Sequence, residues 1–121
     1  GFLVCGASGH EGVLNVDLIV KQGWTSSGAS GGLSAILLPT PPTYSVLYVD
    51  HSTIATTQSF SLQSAKESTG PWVNEASTSI STTVGSTRNL LRVTGPLGPY
   101  VRPYLHTAST GAYNLEFIGV G

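Results

Sequence analysis

The sequence has little charge, one cysteine, no methionine and no long hydrophobic run. Charged residues make up 9% of its 121 residues, and five Lys or Arg stand against six Asp or Glu, for a net charge of −1. A basic surface that recognises nucleic acid cannot be built from so few cations. The single cysteine, Cys5, excludes an intrachain disulfide. Apolar runs such as 35–38 are much shorter than the ~18 residues that a membrane-spanning helix needs, so we expect neither a nucleic-acid partner nor a membrane.

Serine, threonine and glycine are abundant instead. The chain contains 16 Ser and 14 Thr, a quarter of its residues, together with 15 Gly. This composition favours strands and turns over helices. The length suffices for one domain with a single core. We therefore predict an all-β chain with little helix, in which residues 1–12 form an extended N-terminal arm and residues 13–121 form a single β-sandwich domain.

Alternation of apolar and polar residues divides the domain into about seven to nine short strands. Strand 44–51 is expected in the interior of a sheet, because both of its faces are apolar. The Gly- and Ser-rich stretch 22–32 is predicted to be a mobile surface loop that carries an exposed Trp24. The pattern predicts a two-sheet antiparallel sandwich, jelly-roll-like, although an immunoglobulin-like strand order gives a similar alternation. The predicted strands are 13–20, 33–38, 44–51, 59–63, 72–75, 76–87, 88–94, 100–107 and 113–120. The region 53–63 could hold two short strands instead of one, and the Ser- and Thr-rich stretch 76–87 could be a linker, although its intermittent apolar residues favour a strand.

The C-terminal strands carry two further expectations. Because short turns join 88–94, 100–107 and 113–120, these strands are predicted to lie side by side as antiparallel neighbours, with a hairpin loop at 109–111. Pro103 lies within the middle strand and has no N–H to donate to a neighbour. It is therefore predicted at a sheet edge or a bulge, unless the pairing itself is wrong.

No group of residues in the sequence specifies a catalytic chemistry. The segment GASGG at 28–32 has the spacing of a nucleophile elbow, but Pro39 ends the next segment before a helix can form, so we interpret it as a flexible loop. Asp50 and His51 are adjacent and, in a strand, face opposite ways, so they cannot act as orienting acid and base. The three histidines and Cys5 lack the spacing of metal ligands. We expect no enzyme activity, no metal and no cofactor.

The distribution of charge points to burial of the surface in an assembly. Between Lys21 and Lys66 the only charged residue is Asp50. Monomers with exposed strand edges usually protect those edges with charged side chains. This chain has few of them, so we expect partner subunits to cover its neutral surface.

Three segments near the C terminus form a recognisable pattern: LRVTGP at 91–96, YVRPYL at 100–105 and TGAYNLEFIG at 110–119. The pattern resembles the closing strands of small β-sandwich structural proteins of tailed bacteriophages. Among these, capsid decoration (cement) proteins are the most similar in size and style. The resemblance implies a homo-oligomer, with a trimer as the expected state, that binds the outer surface of the head and bridges subunits of the major capsid protein.

Two sets of residues are candidates for contact with such partners. Phe2, Leu3 and Val4 belong to the arm, which has no fold of its own and can become ordered against a neighbour. Trp24 and Trp72 are the candidate contact residues of the domain. The alternative is a tail or baseplate module, or a carbohydrate-binding module in which the tryptophans and the five tyrosines stack on sugars, although the tyrosines lie in strand patterns that favour packing.

Overall fold

The computed structural model describes residues 17–109 and 111–121. These residues form nine strands in two antiparallel sheets, without a helix in either range, which confirms the predicted all-β sandwich. The described residues include no helix with the length and hydropathy required to cross a membrane. The strands are β1 (Leu18–Ser26), β2 (Gly31–Gly32), β3 (Ile36–Leu37), β4 (Tyr44–His51), β5 (Gln58–Ala65), β6 (Val73–Ile80), β7 (Thr87–Thr94), β8 (Tyr100–Leu105) and β9 (Tyr113–Val120).

The strand order is that of a jelly roll. Sheet A has the order β1-β9-β4-β7, and sheet B has the order β2-β8-β5-β6, with β3 also paired to β8. If β2 and β3 are counted as one interrupted strand, β5 and β6 are the only described strands that are consecutive in the chain and adjacent in a sheet. Every other connection between them crosses from one sheet to the other. This path distinguishes the jelly roll from the immunoglobulin-like alternative.

The prediction that the last three strands are neighbours is wrong. β7 and β9 both belong to sheet A but flank β4, while β8 lies in sheet B. The connections that follow β7 and β8 therefore cross between the sheets, so β8 and β9 do not form the predicted hairpin. A local turn signal predicts a reversal of the chain, but it does not specify which sheet receives the next strand.

The prediction of a loop over 22–32 is also wrong, both for its first half and at its end, where Gly31–Gly32 form β2 and pair with β8. Residues 22–26 continue β1 and pair with β9, from Gln22 opposite Phe117 to Ser26 opposite Tyr113. Small polar residues are tolerated here because β1 is an edge strand with one largely exposed face. The predicted strand 13–20 overlaps β1 only from Leu18, and 13–16 lie outside the described residues.

The remaining strand predictions differ mainly in length. The strand predicted at 44–51 coincides with β4, which lies between β9 and β7 as expected. The strand predicted at 33–38 is reduced to Ile36–Leu37. The strands predicted at 72–75 and 76–87 merge into one strand, β6, because Ser and Thr are accommodated on its exposed side. β6 ends at Ile80, so the predicted strand is wrong over 81–86. These differences leave the predicted number of strands correct.

Pro103 lies in β8 where its missing N–H has no strand to bind. Its carbonyl accepts a hydrogen bond from the Leu33 backbone N–H at 2.9 Å. The nitrogen and carbonyl of one strand residue point to the same side, so the proline nitrogen faces the interruption between β2 and β3. β8 nevertheless lies inside the sheet, between β2 and β5, and Pro103 pairs with Leu62 without a bulge, so the expected edge or bulge is wrong. The remaining alternative, that the predicted pairing was wrong, is the one that holds.

The core lies between the sheets and is filled by alternate residues of each strand. Leu62 and Phe117 are both fully buried, at 0% exposure, one from each sheet. Burial of a side chain of this kind contributes about 1.5–3 kcal/mol. Further core residues are Leu47, Val49, Leu91 and Leu115 from sheet A, and Phe60, Ile80, Val101 and Leu105 from sheet B.

Candidate binding surfaces

The outer face of sheet A, called face A below, is apolar and aromatic along its middle. Residues on this face alternate with those of the core, and neighbouring strands place their partners directly opposite. Val46 is 8% exposed although it does not belong to the core cluster, so side chains of face A cover it. Face A consists of Tyr44, Val46, Tyr48, Leu90, Ile118 and Val120, with Lys21, Asp50, Arg88, Arg92 and Glu116 around them.

The charges of face A are largely neutralised by pairing. Arg88 Nε and Nη2 donate to the two carboxylate oxygens of Asp50 at 2.5 and 2.8 Å. Hydrogen bonding from Arg88 holds the pKa of Asp50 below its usual value. Lys21 Nζ lies 3.8 Å from the carboxylate of Glu116. The Arg88 guanidinium also lies 5.2 Å from the centre of the Tyr48 ring. These contacts leave an apolar centre with little net charge around it.

The outer face of sheet B, called face B below, is polar and aromatic, and Arg102 is at its centre. The Arg102 Cζ atom lies 4.3 Å from the centre of the Trp72 ring and 5.3 Å from that of Tyr104. Its Nε donates to Gln63 Oε1 at 2.8 Å, and Gln63 Nε2 donates to Asn74 Oδ1 at 2.9 Å. Two aromatic rings and an amide chain thus fix the position of one guanidinium on the surface.

Two glycines make room for this arrangement. A Cβ atom at Gly32 would lie 2.6 Å from Arg102 Cζ, so the guanidinium occupies the space that a side chain would take. Gly70 has a φ of +90°, and a Cβ there would lie 2.8 Å from Trp72 Cδ1. The turn before β6 therefore brings its backbone close to the indole, which a residue with a side chain would prevent.

A Ser–His pair extends face B beyond Tyr104. Ser61 Oγ lies 2.6 Å from His106 Nε2 and 2.6 Å from Ser77 Oγ, and the His106 and Tyr104 rings are 4.8 Å apart. His106 is exposed, whereas Ser61 is 0% exposed and shares its hydroxyl with Ser77. A buried hydroxyl cannot be presented to a substrate carbonyl. The pair is a polar support for the surface and not an activated nucleophile.

The other catalytic patterns in the sequence are not assembled into sites. Ser30 is exposed and is followed by β2, whereas a nucleophile elbow leads into a helix. His51 is buried; its Nδ1 donates to the Ser52 carbonyl at 2.9 Å and its Nε2 accepts from Asn89 at 3.0 Å. Asp50 lies on the opposite side of β4, as predicted. No group of three or more potential metal-ligating His, Cys, Asp or Glu is found within the described part of the chain.

The structure separates the predicted contact residues. Phe2, Leu3 and Val4 lie outside the described residues. Trp24 is not the exposed loop residue that was predicted, because it lies in β1 and packs partly against the core. Its indole N–H donates to the Ser34 carbonyl at 2.9 Å, which ties β1 to the segment between β2 and β3. Trp72 lies instead on face B. The two tryptophans therefore do not form one stacking platform.

The tyrosines also separate into three groups. Tyr113 is a core residue at 2% exposure, Tyr44 and Tyr48 lie on face A, and Tyr100 and Tyr104 lie on face B. The central residue of face B, Arg102, was not recognised from the sequence. The alternation of Tyr100, Arg102 and Tyr104 in YVRPYL was the available signal, because residues two apart in a strand share a face.

No protein-family model matches the chain, and no curated protein matches it. Among solved structures the chain is similar to PirA, with a TM-score of 0.52 and 12% identity over 81% of this chain and 92% of that chain. It is also similar to a subunit of Bacillus endospore appendages, which form disulfide-linked pili (TM-score 0.48, 15% identity, 98% and 97% of the two chains). A third similarity is to a CBM4 protein (TM-score 0.45, 16% identity, 72% and 58%). The similarity to PirA supports the β-sandwich fold. Of the resemblance to phage structural proteins, the comparisons support only this shared β-sandwich fold.

Proposed function

We propose that this protein is a non-enzymatic structural subunit of a symmetric surface assembly, and specifically a virion decoration protein. In this proposal it binds the outside of a phage head as a trimer and bridges neighbouring major capsid subunits. The observation that supports it is face A, where half-exposed Tyr44, Tyr48 and Ile118 surround a buried Val46 outside the core.

The chemistry of face A favours a protein partner. Contiguous apolar and aromatic side chains on a soluble domain mark an interaction surface, and tyrosine is enriched in such interfaces. The ion pairs Asp50–Arg88 and Lys21–Glu116 leave no strong field for a charged polymer. A modest contact of this kind becomes strong when symmetry repeats it, because each bound copy raises the effective concentration of the next contact.

The exposed strand edges support the same proposal. β1 and β7 form the two edges of sheet A, and β6 forms one edge of sheet B. Leu18 at the start of β1 is 60% exposed, and Val73 at the start of β6 is 59% exposed. A long edge with few charges is a template for pairing with another chain. Contact through these edges would remove both the unpaired backbone groups and the exposed apolar side chains from water.

The experiment is light scattering of the purified protein alone and with expanded heads of the phage that encodes it. We expect a trimer in solution, or a monomer that occupies the heads at a stoichiometric ratio. Tyr44→Lys on face A should abolish head binding, whereas the matched change Tyr100→Lys on face B should leave it intact. A stable monomer that does not bind the heads would refute the proposal.

A second candidate function, binding of a carbohydrate, is favoured by face B. Trp72 and Tyr104 present aromatic rings beside the exposed polar groups of Asn74 and Ser77. Rings next to hydrogen-bonding groups are a common means of holding sugars. Glycan-array binding should be lost in Trp72→Ala and kept in Tyr44→Ala. Identical array results for the wild-type protein and Trp72→Ala would count against this function.

A further inference from the structure

We propose that face B binds an acidic polysaccharide, with the Arg102 guanidinium holding the carboxylate of a uronate residue. This inference rests on the second candidate function and names its ligand class. It depends on an arginine that is fixed in position yet retains donors for a ligand.

The hydrogen bonds of Arg102 leave its outer edge free. Its Nε donates to Gln63, but Nη1 and Nη2 make no hydrogen bond to any residue in 17–109 or 111–121. These two nitrogens carry the N–H groups that form a fork with a carboxylate. Because Gln63, Trp72 and Tyr104 already hold the side chain, little conformational entropy is lost when a ligand binds.

The surroundings of Arg102 select a sugar. The Trp72 and Tyr104 rings both lie against the charge, and their remaining surface can pack against the apolar C–H groups of a pyranose ring. Asn74, Ser77 and His106 are exposed nearby and offer hydrogen bonds to hydroxyl groups. A simple inorganic anion would use the guanidinium alone, whereas a uronate uses the charge, the rings and the polar groups together.

The charges of face B favour an anion. Arg102 is the cation at its centre, and the acidic residue within the strands of sheet B is Glu75, which lies on β6, two strands away from β8. The Glu75 carboxylate accepts a hydrogen bond from the Ser64 hydroxyl, so its charge is directed toward that group. A carboxylate placed against Arg102 therefore meets a positive centre.

The experiment measures binding to polygalacturonate and alginate by titration calorimetry, with methyl-esterified polygalacturonate as the neutral counterpart and dextran sulfate as a sulfated one. We expect binding to the uronate polymers and at least about tenfold weaker binding to the methyl ester, because the ester cannot accept the charge-assisted fork. Equal binding to acid and ester would overturn the carboxylate assignment but keep the second candidate function. No binding to any of these polymers would overturn the uronate proposal, while the glycan array decides separately whether face B binds another carbohydrate. Binding to dextran sulfate alone would overturn the choice of a uronate.

Matched variants locate the site. Arg102→Gln should weaken uronate binding about tenfold or more, and Arg102→Lys should not restore it fully, because a lysine lacks the planar fork. Gly32→Ala should have a similar effect by displacing the guanidinium, with little change in Tm, because the atoms it meets belong to a flexible side chain.

Two controls change the same residue types on sheet A. Arg92→Gln removes an arginine of face A, and Gly23→Ala adds a Cβ whose nearest neighbour is 3.6 Å away. Both should bind uronate as the wild-type protein does. If Arg102→Gln and Gly32→Ala also bind unchanged, the assignment of the site is wrong.

Discussion

A single buried side chain, Gln58, fixes the connection between β8 and β9, where the chain passes from sheet B to sheet A. The role of its amide group can be tested by Gln58→Glu, which replaces the amide nitrogen with an oxygen. Gln58 is 0% exposed. Its Nε2 donates to the Thr107 carbonyl, and the Thr107 N–H donates to its Oε1 at 3.0 Å. The side chain thus satisfies the backbone of Thr107 as a neighbouring strand would. Gln58→Glu keeps the acceptor and shape but replaces the donor with a carboxylate oxygen that faces a carbonyl.

The cost of Gln58→Glu follows from protonation. Burial against an acceptor disfavours the charged form of the introduced carboxyl group, so its pKa rises above the ordinary value of ~4.3 for a glutamate side chain. Once protonated, the carboxyl can donate to Thr107 again. The destabilisation at pH 7 is therefore limited to the free energy of protonating a normal carboxyl, about 1.36 kcal/mol for each of ~2.7 pH units, or about 3.7 kcal/mol. For a domain of this size that is a Tm lower by about 15 °C.

The direction in which the destabilisation by Gln58→Glu changes with pH tests this reasoning. Because the folded pKa of the introduced carboxyl is raised, the penalty is full at pH 7 and disappears as the pH falls toward the unfolded value. Gln58→Ala should lose about 2–4 kcal/mol at every pH, since it leaves the Thr107 groups without their partners. Thermal unfolding followed by circular dichroism from pH 7 to pH 4, with the wild type at each pH, measures both. If Gln58→Glu lowers the stability by the same amount at pH 4 as at pH 7, the proposal that the protonated carboxyl restores the hydrogen bond to Thr107 is wrong.

Three further changes probe other contacts. Trp24→Phe removes the bond to Ser34 and should cost about 1 kcal/mol, with faster hydrogen exchange over 33–35. Hydrogen bonding from Arg88 lowers the pKa of Asp50 in the folded protein. The Asp50–Arg88 pair therefore stabilises the fold fully at pH values above the unfolded pKa of ~3.9, and this stabilisation is lost as the pH falls through the lower pKa of the folded state. The Tm gap between wild type and Asp50→Asn should therefore be complete above pH ~3.9, close as the pH falls below that value, and narrow in high salt, and a constant gap would contradict this. Leu62→Ala, at 0% exposure in the centre of sheet B, should cost about 2–5 kcal/mol in chemical denaturation.

The strands that the sequence predicts well are those whose burial is set by their own alternation. β9 places Tyr113, Leu115 and Phe117 at every second position, so that face must be buried wherever the strand lies. β4 has apolar residues on both faces, which requires neighbours on both sides. The second half of β1 lacks this signal, because residues 22–26 are mostly exposed and gain strand structure from pairing with β9. Pairing of that kind depends on the topology and not on the local residues.

The candidate sites differ in the same way. Tyr100, Arg102 and Tyr104 share a face because they alternate within one strand, so their common surface was predictable. Trp72 and Gly32 reach that surface only because β2 lies beside β8 and the β5–β6 turn closes over sheet B. A distant glycine that leaves space for an arginine has no local signature. The supporting contacts of a surface are therefore the part that requires the structure.

The jelly-roll order also makes the two proposals independent of each other. Face A and face B belong to different sheets, which pack about 10 Å apart with the core between them. A subunit that docks through face A leaves face B directed away from its partner, so one copy can be bound to a shell and to a polysaccharide at once. Changes at sites this far apart without shared partners act additively. Tyr44→Lys should abolish head binding with unchanged uronate affinity, Arg102→Gln should do the reverse, and coupling between them would show that the two faces do not act separately.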